Sequence, residues 1–294
     1  MVKPEGIAIG FVGAGVLGSG LALALSAAGW RVAAIASRTQ SSAERAASLI
    51  DGCAALATAE QVAEACDLVF ITTPDSVIAE VSRTVRWRPG QGVAHCCGAA
   101  SIELLDSAAN AGAAVGAMHP FQTFAAIEGP EQAAERLKGV TFAISGTGWL
   151  AEFLPNLAES LGGHGIEIPD GMRPLYHASA VLSCGYLSTL LDAAVELWTN
   201  MGFTEEDGVR AAVPLAHATI EAIERLGPTN AVTGPVVRGD AETVSAHLES
   251  LSQHAAHLLP LYRQLTESSL PLARAKGIPE SQLEQLRRTI GASD

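Results

Sequence analysis

Lysine is nearly absent from this chain, with Lys3, Lys138 and Lys276 the only three in 294 residues. Lysine and arginine together number 18 against 31 acidic residues, a formal net charge of -13. Such a balance argues against nucleic acid and anionic membrane as partners, so an anionic ligand must be held by local devices such as helix N-termini and single arginines. Charged residues make up only 17% and hydrophobic ones 48%, which excludes a disordered tail and allows a large core, most simply in two domains. The cysteines, Cys53, Cys66, Cys96, Cys97 and Cys184, are odd in number and lack paired CxxC spacing. They read as reduced thiols of a cytoplasmic protein. His95, Cys96 and Cys97 are adjacent on a strand and point to alternate faces, so no metal site is expected there. Either cysteine could still line a ligand cleft by position. No solenoid repeat or low-complexity segment is visible, and Met1 to Gly6 passes straight into the first strand, so no signal peptide is expected.

What is present is organised around Ile7 to Thr39. The apolar run Ile7 to Val12 leads into Gly13-Ala14-Gly15-Val16-Leu17-Gly18, and an Ala/Leu-rich helical segment continues up to Gly29. Gly13 permits the tight turn, Gly15 lets a pyrophosphate approach the backbone, and Gly18 lets the helix pack on the strand, so this is a dinucleotide-binding pattern in its required context. An NAD site normally has a carboxylate at the end of the second strand, here Val32 to Ala36, to hold the ribose 2′-OH. This chain has Ser37-Arg38-Thr39 instead, which suits the 2′-phosphate of NADP(H). The plainer reading is that Ser37 and Thr39 open the next helix and Arg38 is a solvated charge.

Further on, the Ser41-Ser42-Ala43-Glu44 spacing predicts a helix start, and Thr58 with Gln61 predicts another. A strand over Leu68 to Thr72 ends in Thr73-Pro74-Asp75, with Pro74 expected at the first helical position. Thr73, Pro74 and Ser76 should then border the nicotinamide ribose, with Thr72 beside them as a further cofactor-binding candidate. Gly92 to Cys97 is the next strand, and Ser101 is expected to be the N-cap of another helix. The strand Ala113 to Ala117 runs into Met118-His119-Pro120-Phe121-Gln122-Thr123-Phe124. There His119 could hydrogen-bond or protonate a developing alkoxide or amine while Gln122 and Thr123 fix the substrate. Equally, His119 could cap local backbone with Phe121 and Phe124 in the core. Gly139 to Ser145 and Gly165 to Ile168 complete about eight strands, and Pro169-Asp170-Gly171 breaks the pattern.

The fold expected is α/β, a Rossmann-type doubly wound, mostly parallel sheet over residues 1–170, followed by an all-helical domain over 171–294. The uncharged run Pro174 to Leu191 carries His177, Gly185, Thr189 and three serines and is a poor bilayer helix, and Met172 to Thr199, apolar nearly all round, reads as the buried spine of that second domain. Thr204 starts the next helix, and Asp240 can cap Ala241 to His254. Between them Arg238, in a Gly/Pro-punctuated loop, either binds a substrate carboxylate or sits in a mere connector.

The segments GAGVLG, TTPD, HCCGA, HPFQTF, YHASAVLSCGYL and TGPVVRGD occur in the order found in a family of reductases that join a Rossmann-like domain to a helical domain of unassigned function. The chain resembles that family over nearly its whole length. The family lies within the 6-phosphogluconate-dehydrogenase-like group, with pyrroline-5-carboxylate reductase and ketopantoate reductase. The resemblance implies a nicotinamide site between the domains and a homodimer built through the helical one. One departure stands out: relatives have Asn before the Tyr in the central helix, where this chain has Gly185 before Tyr186. Several dehydrogenases of the wider group use a Lys on that helix as acid/base, and none of the three lysines here lies there. Proton supply would then fall to His119, His177, Tyr186 or water. The reading is an NADPH-dependent reductase of a carbonyl or imine carbon in a small, carboxylate-bearing metabolite. The alternatives are a ketopantoate-reductase-like enzyme of coenzyme A biosynthesis and a non-catalytic NADP(H) sensor.

Overall fold

The computed structural model describes residues 6–169 and 171–291. Met1–Glu5 and Asp170, the middle of the expected chain break, lie outside the described residues. Eight strands form one sheet: β1 (Ala8–Val12), β2 (Arg31–Ala36), β3 (Ala54–Leu56), β4 (Leu68–Ile71), β5 (Gly92–His95), β6 (Ala114–Pro120), β7 (Thr141–Gly146) and β8 (His164–Glu167). Their order is β3-β2-β1-β4-β5-β6-β7-β8, parallel throughout except for the antiparallel β6–β7 pair. With helices on both faces, the central strands are buried at every position, which is why they read as unbroken apolar runs. Phe11 and Phe70 are in register on β1 and β4 and their rings stack at 5.3 Å. Ile9, Phe11 and Phe142 anchor the core on one face, Val12, Val69 and Ile71 that on the other.

Among the described residues seven helices accompany the sheet: α1 (Val16–Ala27), α2 (Gln40–Ala47), α3 (Ala59–Ala65), α4 (Asp75–Thr84), α5 (Asp106–Asn110), α6 (Pro130–Arg136) and α7 (Leu150–Ser160). The cap at Thr58 is as expected, its hydroxyl accepting from the Gln61 N–H while the Gln61 amide returns the bond. Ser101 likewise accepts from the Glu103 N–H. Two starts differ. Helix α2 begins at Gln40 rather than within the serine pair, because Thr39 is already extended and the Gln40 amide pairs with Glu44 one turn on. Pro74 is the N-cap of α4 and not its first residue, since its ψ of 144° is extended.

The ends of β5 and β6 also differ from the sequence reading. β5 stops at His95 because the Cys97 N–H folds back onto His95 Nδ1. β6 runs on to Pro120 because antiparallel β7 pairs with it through His119 and Pro120, past the end of β5. Cys96 and Cys97 are both buried, packing into the opposite face layers of the sheet.

The remaining helices are α8 (Arg173–Ser183), α9 (Gly185–Asn200), α10 (Glu205–Leu226), α11 (Pro228–Ala231), α12 (Ala241–His254), α13 (Leu259–Ala275) and α14 (Glu280–Gly291). Thr204 and Asp207 form the cap of α10, and Asp240 caps α12 by accepting from the Thr243 N–H. The chain divides into two compact units at Cys184/Gly185, later than the sheet's end near residue 168. α8 stays with the first unit because Arg173 is buried and its guanidinium donates to Ser145 Oγ, the Ala143 carbonyl and the Cys97 carbonyl on the sheet. In the second unit α12, α13 and α14 enclose a core of Val244, Leu248, Leu270, Leu283 and Leu286.

Met172 to Thr199 is therefore not one buried helix. Cys184 leaves helical geometry at φ -124°, ψ -76°, next to a glycine that favours the helix poorly. No residue of α9 is fully buried, because its main packing partner is α10 along one side. By length and composition alone Arg173–Asn200 is apolar enough to cross a membrane.

Candidate active site

Gly13 hydrogen-bonds through its N–H to the Ala36 carbonyl at the end of β2, and its φ of +118° turns the chain. Thr72 locks that turn from β4, donating its hydroxyl to the Gly13 carbonyl at 2.8 Å. Gly15 is the N-cap of α1 with no side-chain cap and no acidic residue in the first turn, which leaves the helix N–H groups open to an anion. A Cβ on Gly15 would meet no atom within 4 Å, so the space in front of the turn is free. Around it lies a groove of about 470 Å³ that gathers Gly13, Gly15, Ser37, Arg38, Thr39, Thr72, Thr73 and Pro74. Arg38 is exposed at its rim and makes no hydrogen bond or ion pair among the described residues. A groove with open helix amides at one end and a free guanidinium at the other fits a dinucleotide phosphate ester.

Other residues singled out with this group fall elsewhere. Leu17 packs on the core, and Gly18 lies against Thr72 and Gly13 behind the turn. Val16 borders a neighbouring hollow with Ser19 and Arg45, and Ser76 is exposed outside the groove.

Parallel register aligns Ile71, His95 and Ala117 across β4, β5 and β6, so the loops after these strands share one edge of the sheet. There His119 meets residues from α8. Its Nδ1 is 2.7 Å from the Tyr176 hydroxyl, and its ring lies edge-on to Tyr176 and 6.2 Å from the His177 ring. The Phe121 ring packs against Tyr176 at 5.6 Å. Gly98 makes room for both imidazoles: a Cβ there would stand 2.8 Å from His119 Nε2 and 2.8 Å from His177 Cδ2. Burial, then the neighbouring His177 and Arg173, pushes the His119 pKa down to about 4, so at neutral pH it is an uncharged imidazole. Burial pushes the Tyr176 phenol up to about 12, partly opposed by Arg173. The Cys97 thiol is also raised, by burial and by its hydrogen bond to Asp75 at the start of α4.

Gln122 and Thr123 turn to their own loop, the Gln122 carbonyl oxygen accepting from the Thr123 N–H and the Thr123 hydroxyl from the Ala125 N–H. Tyr186 and Arg238 belong to the second unit, where both are exposed. A roomier hollow of about 660 Å³ lies inside that unit among Leu197, Met201, His247, His254 and Tyr262, and contains none of the residues singled out in the sequence. Sequence reading passed over Tyr176, Gly98 and Arg173. Tyr176 is 57 residues from His119 along the chain, and no spacing rule links them.

The sequence matches a Rossmann-like domain over residues 1–120 and a domain of unknown function, DUF2520, over residues 140–269. The protein joins a Rossmann-like domain to a DUF2520 domain. The DUF2520 match begins at the edge of β7, so it takes in the last two strands as well as α7 to α12 and part of α13. Among solved structures the chain is similar to a candidate NADP oxidoreductase of Bacteroides fragilis, at 26% identity and a TM-score of 0.70 over 92% of this chain and 100% of that one. The fold is shared with Plasmodium falciparum pyrroline carboxylate reductase with NADP bound (14% identity, TM-score 0.59, 94% and 100% covered). It is shared also with an Aspergillus terreus reductive aminase in complex with NADPH and ethyl-5-oxohexanoate (18% identity, TM-score 0.64, 96% and 99% covered). None of the curated proteins compared matches this sequence.

Proposed function

We propose that this Rossmann-like/DUF2520 protein is an NADPH-dependent reductase acting on the carbonyl or imine carbon of a small, carboxylate-bearing metabolite. The observation that carries the reading is the sheet edge itself: an anion-ready groove with an unpaired Arg38 at β1, β2 and β4, and a neutral His119–Tyr176 pair at the end of β6. The similarity to an NADP oxidoreductase and the fold shared with NADP-bound reductases support it. Gly13, Gly15 and the open amides of α1 would hold the pyrophosphate, and Ser37, Arg38 and Thr39 the 2′-phosphate. When bound, the reduced nicotinamide supplies a hydride. His119, with His177 beside it, borders the acceptor, and Gln122, Thr123, Tyr186 and Arg238 are retained as candidates for orienting it. The reading includes a cytoplasmic setting and a homodimer through the helical unit, whose exposed Tyr186, Leu190 and Leu215 support the second.

NADPH consumption across 2-oxo acids, ketopantoate and cyclic imines is expected to select one class. Tight NADPH binding with no turnover of any of them would overturn the reductase reading in favour of a sensor. In the same assays Arg38→Ala is expected to weaken NADPH about 10- to 100-fold while leaving NADH within about twofold, the loss of one or two charge-assisted hydrogen bonds. An unchanged NADPH/NADH ratio would remove the NADP assignment. Gly98→Ala is expected to lower kcat by about 10- to 100-fold at constant NADPH affinity, because it pushes both imidazoles off position at a distance from the groove. Equal turnover in that variant would show that the two histidines do not border the acceptor.

A further inference from the structure

A phenol hydroxyl can accept one hydrogen bond and still give its own proton elsewhere. Tyr176 is placed for this. Arg173, one turn earlier on α8, is tied to Ala143 and Ser145 of β7 and to the Cys97 carbonyl just past β5, which anchors the start of the helix. The Tyr176 ring contacts both Phe121 and His119, each with a ring centroid 5.6 Å away, and its hydroxyl meets His119 Nδ1. His119 Nε2 makes no hydrogen bond among the described residues and faces the gap left by Gly98.

We propose that Tyr176 is the proton donor to the reduced acceptor, and that His119, neutral with its proton on Nδ1, is the positioning residue that donates to the Tyr176 hydroxyl oxygen. The proposal rests on the reductase reading above. As the acceptor carbon takes hydride from a reduced nicotinamide, the C=O or C=N π pair withdraws to the oxygen or nitrogen. The Tyr176 O–H bond breaks with its electrons left on the phenolate, and the proton forms the new O–H or N–H bond. The phenolate then regains a proton from solvent water, whose hydroxide the buffer neutralises, while His119 keeps its proton on Nδ1, so the acceptor has gained one hydride and one proton overall. An imidazole uncharged at neutral pH cannot act as an imidazolium acid, whereas a phenol remains protonated over the whole working range.

Two measurements test this. Imidazole ¹⁵N spectra of the unliganded protein at neutral pH should show His119 uncharged and protonated on Nδ1, and the Nδ1 resonance should move in Tyr176→Phe. An Nε2-protonated or charged His119 would overturn the proposal whatever the activity. With the acceptor class selected above, Tyr176→Phe is expected to lower kcat by at least about 100-fold with NADPH affinity within about twofold, and the wild-type kcat should stay flat from about pH 6 to 9. A Tyr176→Phe enzyme within about threefold of wild type, or a kcat falling through the ordinary histidine range, would overturn the proposal while leaving the reductase reading intact. Wild-type protein that binds NADPH and turns over nothing would instead defeat the reductase reading.

Discussion

Acidification from about pH 6.5 to about pH 4 is expected to cost the folded protein about 3–6 kcal/mol, and at least half of that loss traces to a single histidine. His95 is fully buried at the end of β5, where Nδ1 accepts from the Cys97 N–H and Nε2 is 3.1 Å from the Ser101 carbonyl. The first bond requires an unprotonated Nδ1, so Nε2 carries the proton and donates. Both nitrogens are thus committed to the neutral form. Burial pushes the His95 pKa down from 6.5 to about 4, and His119 is pushed to about 4 as well. Both folded values lie below the unfolded one, so between them the unfolded chain binds more protons. The contribution of these two histidines therefore falls as pH falls through that window and levels off below about 4. One fully buried histidine shifted this far is worth about 3 kcal/mol, and the less buried His119 adds at most a similar amount. Urea unfolding at pH 7, 5.5 and 4.5 measures the slope. His95→Gln should cost about 1–3 kcal/mol at pH 7 through the unpaired Cys97 N–H and Ser101 carbonyl, and should remove about one proton from the slope. A variant with the wild-type slope would show that His95 does not hold this linkage.

The second large effect separates two glycines of one turn. A Cβ on Gly13 would stand 2.6 Å from the Thr72 carbonyl carbon and 2.7 Å from its oxygen, on a residue already at φ +118°. The Thr72 backbone, just past the end of β4, cannot give way as a side chain would. Gly13→Ala is expected to destabilise by about 3–5 kcal/mol, combining backbone strain of about 1–3 kcal/mol with overpacking of about 1–3 kcal/mol. Gly15 has ordinary dihedrals and open space around its missing Cβ. Gly15→Ala should therefore cost under about 1 kcal/mol, the modest penalty of Ala at an N-cap, and yet weaken NADPH by at least about tenfold by blocking its approach. Thermal unfolding and NADPH titration of the two variants check this. Two variants of equal stability, or a Gly15→Ala protein of full NADPH affinity, would contradict it.

Much of the first unit was legible because its signals are local. The apolar runs of β1 and β4 read as strands since the sheet buries both their faces, and Thr58 and Ser101, like Thr204 and Asp240 in the second unit, announced their helices because a cap needs only the next three residues. Gly13, Gly15 and the Ser37-Arg38-Thr39 run likewise fall in one groove, since a strand–turn–helix unit and the neighbouring strand end place them together with little help from the rest of the chain. The limits of local reading were at partners far along the sequence. β6 carries His119 beyond its parallel neighbour only because β7 returns antiparallel beside it, and no feature of residues 114–120 foretells that. The apolar run through α8 and α9 promised burial, but apolar composition says what a helix would gain by being covered and not what covers it.

Neighbouring residues alone were enough to specify a dinucleotide-type Rossmann unit, its glycine turn and the lack of a carboxylate where NAD would want one, because each is a matter of a few adjacent positions and their backbone freedom. Long-range packing set the rest: His119 faces Tyr176, Gly98 makes room for two imidazoles, and Arg173 ties α8 to the sheet. These contacts join residues 57, 21 and 28 positions apart or more, and only the packing of a helix on a sheet edge brings such distant positions within hydrogen-bond reach and strips them of the water that would otherwise set their charge.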